Sequence, residues 1–169
     1  MASAGGPFPG SSIDFTGAPI SLSRAEMSKM KTTILFLCTG NSCRSQMAEG
    51  WGRHLKGDEI EVYSAGIEKH GLNPYAVEVM AEAGVDISNQ ESTTIDELAG
   101  TEFDWIITLC GHADETCPNL AGTKIHQGFD DPPKLAAEMR SKEQRLVPYR
   151  RVRDEIRNYI ETLPQSLKS

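Results

Sequence analysis

The chain has 169 residues, of which 38% are hydrophobic and 24% charged, and a net charge of -7. That length suits one domain with its own core, the balance is that of an ordinary soluble protein, and no apolar run approaches the roughly 18 residues a membrane helix needs. The acidic balance argues against a nucleic-acid binder, which would carry a basic face. An anionic substrate would need a small local positive site working against the global field.

Residues 1–30 are small, polar and punctuated by Pro and Gly, and are expected to form a flexible tail ahead of a domain over 31–169. Met27 and Met30 are alternative starts. The first 23 residues contain no Lys or Arg, so no secretory signal is read there and a cytoplasmic chain is expected. The four cysteines, Cys38, Cys43, Cys110 and Cys117, then suggest redox, nucleophilic or metal roles before disulfide staples.

In chain order, residues 32–37 (TTILFL) read as a strand buried on both faces. A helix is expected over 45–56 and a second strand over 61–65. Residues 73–83 form a further helix, with Asn73 as cap, Pro74 at its first position and Gly84 just past its end. A third buried strand follows at 104–109 and a short fourth at 124–128. An amphipathic helix over 149–163 closes the domain, with Val152, Ile156, Tyr159, Ile160 and Leu163 on one side. This alternation predicts a three-layer α/β fold with a four-stranded parallel sheet covered by helices on both faces. Binding sites in such sheets lie at the carboxyl ends of the strands, where Cys38 and Cys110 both fall.

Cys38-Thr39-Gly40-Asn41-Ser42-Cys43-Arg44-Ser45 joins a buried strand to a helix. Backbone N–H groups of Thr39, Gly40, Asn41, Ser42, Cys43 and Arg44 can converge as a nest for a tetrahedral oxyanion, backed by the positive end of the helix. Gly40 is expected to take a backbone angle that other residues resist. The Arg44 fork can meet two oxygens. The same field favours Cys38 as a thiolate nucleophile, with the Ser45 hydroxyl donating to its sulfur. Taken alone, Cys38 could be a buried strand-end cysteine; strand, helix and Gly-Asn together favour the functional reading. Cys43 reads as a residue packing under the loop.

ILFLCTGNSCRSQMAEGW, YSAGI, TLCGHADETCP, GFDDP and RVRDEI together resemble the thioredoxin-coupled arsenate reductases, which share the low-molecular-weight tyrosine phosphatase fold. The resemblance runs from about residue 31 to 163. It implies that the Asp directly before Pro, Asp131, is the general acid, with Asp130 second in line. It implies that Asn41, Glu49 and Ser64 support the loop. In some members these residues bind potassium together with an Asp; Thr93 stands at that position here, which argues against such a site. Gln90 and Gln127 replace a His and a Trp of relatives.

Reducing As(V) to As(III) takes two electrons, which two thiols closing into a disulfide supply. Cys38 would form a thiol–arsenate adduct, Cys110 would attack Cys38 and release arsenite, and Cys117 would attack Cys110. The Cys110–Cys117 disulfide would pass to thioredoxin; glutaredoxin or glutathione is the lesser expectation. Seven residues of helix span roughly 10 Å, beyond the roughly 7 Å a disulfide allows between Cα atoms, so residues 111–118 must unwind on oxidation. No resident metal or cofactor is expected, since the spacings of His112 and His126 fit no zinc pattern, and a monomer is expected. A tyrosine phosphatase is the alternative enzyme, although phosphatases of this fold resemble Asp-Pro-Tyr where this chain has Asp-Pro-Pro. A non-enzymatic thiol or oxyanion sensor is the third reading.

Overall fold

The computed structural model describes residues 31–168; the expected tail lies outside them. Strands β1 (Thr32–Cys38), β2 (Ile60–Gly66), β3 (Trp105–Thr108) and β4 (Thr123–His126) form one parallel sheet in the order β2-β1-β3-β4. The helices are α1 (Arg44–Lys56), α2 (Pro74–Glu82), α3 (Gly111–Thr116), α4 (Pro132–Ala136) and α5 (Lys142–Glu161). Among the described residues no helix is long and apolar enough to cross a membrane.

The continuous apolar run of β1 has the meaning expected of it. Ile34 and Phe36 enter a core built with Met47, Trp51, Val79, Val152 and Ile156, from α1, α2 and α5. Leu35 and Leu37 enter the opposite core with Ala65, Ile106 and Ala113, from β2, β3 and α3. All four β1 side chains are fully buried, each contributing about 1.5–3 kcal/mol. Alternate residues of one strand thus bind both helical layers to the sheet.

Asn73 caps α2 as expected, its Oδ1 accepting from Tyr75 N (2.8 Å) and Ala76 N (3.2 Å), and Gly84 has the positive φ of a helix stop. One helix departs from expectation. α5 begins at Lys142 rather than 149, because a capping box between Ser141 and Gln144 starts it and the helix runs on through Pro148. The segment between Cys110 and Cys117 is helical, with Cys110 as the N-cap of α3.

Candidate active site

The loop from Cys38 to Ser45 leaves β1 and turns into α1 against the strand end of β2. The segment after β2 straps its outside: Ile67, Glu68, His70 and Asn73 donate their N–H groups to the carbonyls of Cys38, Thr39, Gly40 and Ser42, at 2.8–3.2 Å. With those carbonyls turned outward, the N–H groups of Gly40, Asn41, Ser42 and Cys43 donate to no protein acceptor among the described residues. Four free amides at a helix N-terminus form the expected oxyanion nest. Arg44 is 91% buried, donates Nη1 to Phe129 O at 3.0 Å, and has no partner for its buried Nε. An oxyanion would satisfy that nitrogen.

The left-handed residue of the loop is Asn41, with φ 48°, and not Gly40 as expected. Asn tolerates this conformation when its side chain is bonded locally. Asn41 is fully buried, and its Nδ2 donates to Ser45 Oγ (2.8 Å) and Ser64 Oγ (3.0 Å) while its Oδ1 accepts from Thr93 N (2.7 Å) and Gln46 Nε2 (3.1 Å). Gly40 is needed for space: a Cβ there would lie 2.1 Å from His70 Nδ1. Ser64 in turn donates to Glu49, whose other oxygen meets Arg53. Asn41, Glu49 and Ser64 are therefore joined, as the resemblance implies.

Ser45 accepts from Asn41, and no hydrogen bond joins it to Cys38 among the described residues. The Asn41 amide fixes the Ser45 oxygen beside the loop while leaving its hydroxyl proton free.

Cys38 and Cys110 meet at the rim of the sheet, in the same apolar cluster. Cys110 Sγ receives the Cys38 thiol, Thr39 Oγ1 at 3.2 Å and Ala113 N at 3.4 Å. The Cys38 thiol, foremost, then the Thr39 hydroxyl, the Ala113 amide and the charge of Arg44 push Cys110 down to about 4, against burial. Cys38 is raised well above the ordinary thiol range, first by its side-chain interaction with Cys110 and second by burial, against the pull of Arg44. Arg44 draws both thiols toward the charged form.

Burial pushes the Cys43 thiol up, and Cys43 packs in the core, in accord with a residue under the loop. Cys117 ends α3, half-buried, with its thiol raised by desolvation.

Asp131 Oδ1 lies 3.6 Å from Arg44 Nη2, whereas Asp130 turns away to Arg151, 2.9 Å distant. Asp131 is the N-cap of α4 but makes no capping bond, so its carboxylate is left to the site. Sequence reasoning missed Gln46, which is fully buried and binds Asn41 O (2.9 Å) and Glu91 O (3.0 Å), and Ser92, which donates to Gly40 O and Asn41 O. It also missed His70 and Arg53. A Gln on the buried face of α1 was the available signal for the first; the others depend on tertiary contacts.

The sequence matches the low molecular weight phosphotyrosine protein phosphatase family over residues 33–169. The arsenate reductase of Halalkalibacterium halodurans is 53% identical over 140 residues, 82% of this chain and 99% of that protein. A solved arsenate reductase in its oxidized state is 31% identical and superposes with a TM-score of 0.64, covering 78% of this chain and 95% of that one. The thioredoxin-dependent arsenate reductase of Corynebacterium glutamicum is 25% identical, with a TM-score of 0.59 over 85% of this chain and 65% of that one. The chain belongs to the low molecular weight phosphotyrosine protein phosphatase family, and within it to the arsenate reductases.

Proposed function

We propose that the chain reduces arsenate to arsenite through a three-thiol relay recharged by thioredoxin. The observation that carries this reading is the meeting of two buried cysteines, Cys38 and Cys110, at the mouth of an amide nest containing Arg44. Phosphate ester hydrolysis needs no second thiol beside the nucleophile; a two-electron reduction does.

Arsenate enters the nest, its oxygens taken by the amides of Gly40–Cys43 and by Arg44. Cys38 passes its proton to the neighbouring Cys110 sulfur and attacks arsenic. Asp131 protonates the departing oxygen, which leaves as water. Cys110 gives that proton to an arsenic-bound oxygen and, as the thiolate at the N-terminus of α3, attacks the Cys38 sulfur. The sulfur–arsenic electron pair goes to arsenic, which departs as arsenite, and a Cys38–Cys110 disulfide forms. The Cys117 thiolate then displaces Cys38 from Cys110. Thioredoxin gives two electrons and two protons to the resulting Cys110–Cys117 disulfide. We place the cycle in a monomer in the cytoplasm, where thiols are kept reduced.

The test is arsenate-dependent NADPH consumption with thioredoxin and thioredoxin reductase, in wild type and Cys117→Ser. Turnover lost in the variant supports the relay and the donor together. Turnover that survives points to glutathione or another resolving thiol. A wild type that hydrolyses an aryl phosphate briskly but leaves arsenate untouched refutes the reduction.

A further inference from the structure

The potassium site raised by the family resemblance does not fit these residues. A hard cation needs free oxygens. Here Asn41 turns its Nδ2, a donor, toward Ser64, and its Oδ1 already accepts from Thr93 N and Gln46 Nε2. Ser64 spends its hydroxyl proton on one Glu49 oxygen, and Arg53 meets the other. Thr93 carries a neutral hydroxyl where a carboxylate would be required, and its backbone N–H already occupies Asn41 Oδ1. Access is not the obstacle, because a cavity of about 250 Å³ lined by Glu49, Arg53, Ser64 and Thr93 reaches the cluster.

We propose that Arg53 is the built-in cation of the oxyanion loop, a positioning residue that makes the enzyme independent of potassium. Glu49 sits nearly buried on α1 with its carboxylate aimed at the loop support. Left alone, that charge would have to be solvated or neutralised. Arg53, one helical turn further along, brings the opposite charge to the same face and donates Nη2 to Val62 O at 3.3 Å. The guanidinium is thereby fixed to α1 and β2 at once. From there the chain of bonds runs through Glu49 and Ser64 to Asn41, the left-handed residue that sets the direction of the nest amides. In-chain charge with two anchored nitrogens costs no ion-binding step, and Thr93 can close the network with its amide rather than bring a second carboxylate.

The experiment compares wild type, Arg53→Met and Arg53→Lys in potassium chloride and in sodium chloride at equal ionic strength. It measures melting temperature, affinity for inorganic phosphate by calorimetry, and arsenate KM and kcat. Wild type is expected to be indifferent to the choice of salt in every readout. Arg53→Met should weaken phosphate about tenfold and raise the arsenate KM by the same factor, with kcat little changed, as loss of ground-state binding requires. Arg53→Lys should recover most of the affinity. A wild type that melts higher or binds phosphate more tightly in potassium than in sodium overturns the proposal, as does an Arg53→Met protein with unaltered phosphate affinity. If Arg53→Met does not fold, Arg53→Lys and the wild-type salt comparison decide. The proposal deepens the reading of the oxyanion loop, yet melting and phosphate binding do not depend on arsenic reduction, so failure of arsenate turnover alone counts against the reductase and not against Arg53.

Discussion

Replacing Asn41 separates the two things this residue does, which are to adopt a left-handed backbone and to organise a buried network. In Asn41→Ala the φ of 48° remains, and a Cβ without a local hydrogen bond costs about 1–2 kcal/mol there. The amide is removed as well. Thr93 N–H, bonded at 2.7 Å, loses that acceptor, and an orphaned donor at this half-buried site costs about 1 kcal/mol, the low end of the range for buried groups. Gln46 Nε2 retains Asn41 O and Glu91 O, so its loss is minor. Ser45 and Ser64 each lose a donor but keep rotatable hydroxyls. The sum is about 2–3 kcal/mol for Asn41→Ala. Asn41→Gly loses the same bonds but not the backbone freedom, and should be more stable than the Ala variant by about 1 kcal/mol. Urea denaturation with an unchanged m-value measures both, and phosphate affinity reports whether the nest has opened. A loss below about 1 kcal/mol in Asn41→Ala, or a Gly variant no better than Ala, would show that the network does not hold the loop and would refute the argument.

Three further outcomes follow from the same geometry. Alkylation of Cys110 should have its midpoint near about 4 rather than at the ordinary thiol value of 9.0, and Thr39→Val, which removes a donor to the charged form, should raise it. A depressed value stabilises the fold above the unfolded thiol's pKa and loses that contribution as pH falls through about 4, but Cys38 shifts the opposite way, so alkylation reads the effect more cleanly than melting; an ordinary midpoint would refute the depressed value for Cys110. Asp131→Asn should lower kcat by about 10²–10⁴, while Asp130→Asn, whose carboxylate faces Arg151, should leave it nearly intact; the reverse order would move the acid to Asp130. A glutamyl endopeptidase should cut at Glu115 faster in oxidised than in reduced protein, and equal rates would count against unwinding of α3.

The strands were legible because burial on both faces writes an unbroken apolar run, as in Ile34–Leu37, and because a parallel sheet carries its loops at one rim. Cys38, Arg44 and Asp131 were legible because their chemistry is local to a loop or to a dipeptide. What escaped depended on pairs distant in the chain. That Gly40 serves space and not a left-handed angle depends on His70, thirty residues on, whose ring occupies the space a Gly40 side chain would need. Glu49 and Ser64 were found by resemblance, but Arg53 looked like any exposed helix charge until Glu49 appeared beside it. That Cys110 caps α3 and receives the Ala113 amide depends on where a six-residue helix starts, which no local pattern marks.

Helix α3 is caught between two demands of the proposed cycle. Its first turn supplies the amide of Ala113 that stabilises the Cys110 thiolate, so the helix must be formed when Cys110 attacks Cys38. It must then be lost before Cys117, at its other end, can reach Cys110. A six-residue helix has little stability of its own, and tertiary bonds hold this one. Asp114 Oδ1 accepts from Thr108 Oγ1 at 3.0 Å, and Lys124 Nζ donates to Asp114 O at 2.9 Å. Thr108 also meets His126 Nδ1 at 2.9 Å, so one buried hydroxyl ties α3 to both β3 and β4. Once Cys110 is locked in a disulfide with Cys38, its sulfur no longer carries the charge that the Ala113 amide and the Thr39 hydroxyl stabilise. The same chemical step that creates the bond for Cys117 to attack therefore removes the electrostatic reason for the first turn of α3, leaving only the Asp114 clasp to be broken. Oxidation and unwinding are in this way coupled through one sulfur, without any signal from the rest of the fold.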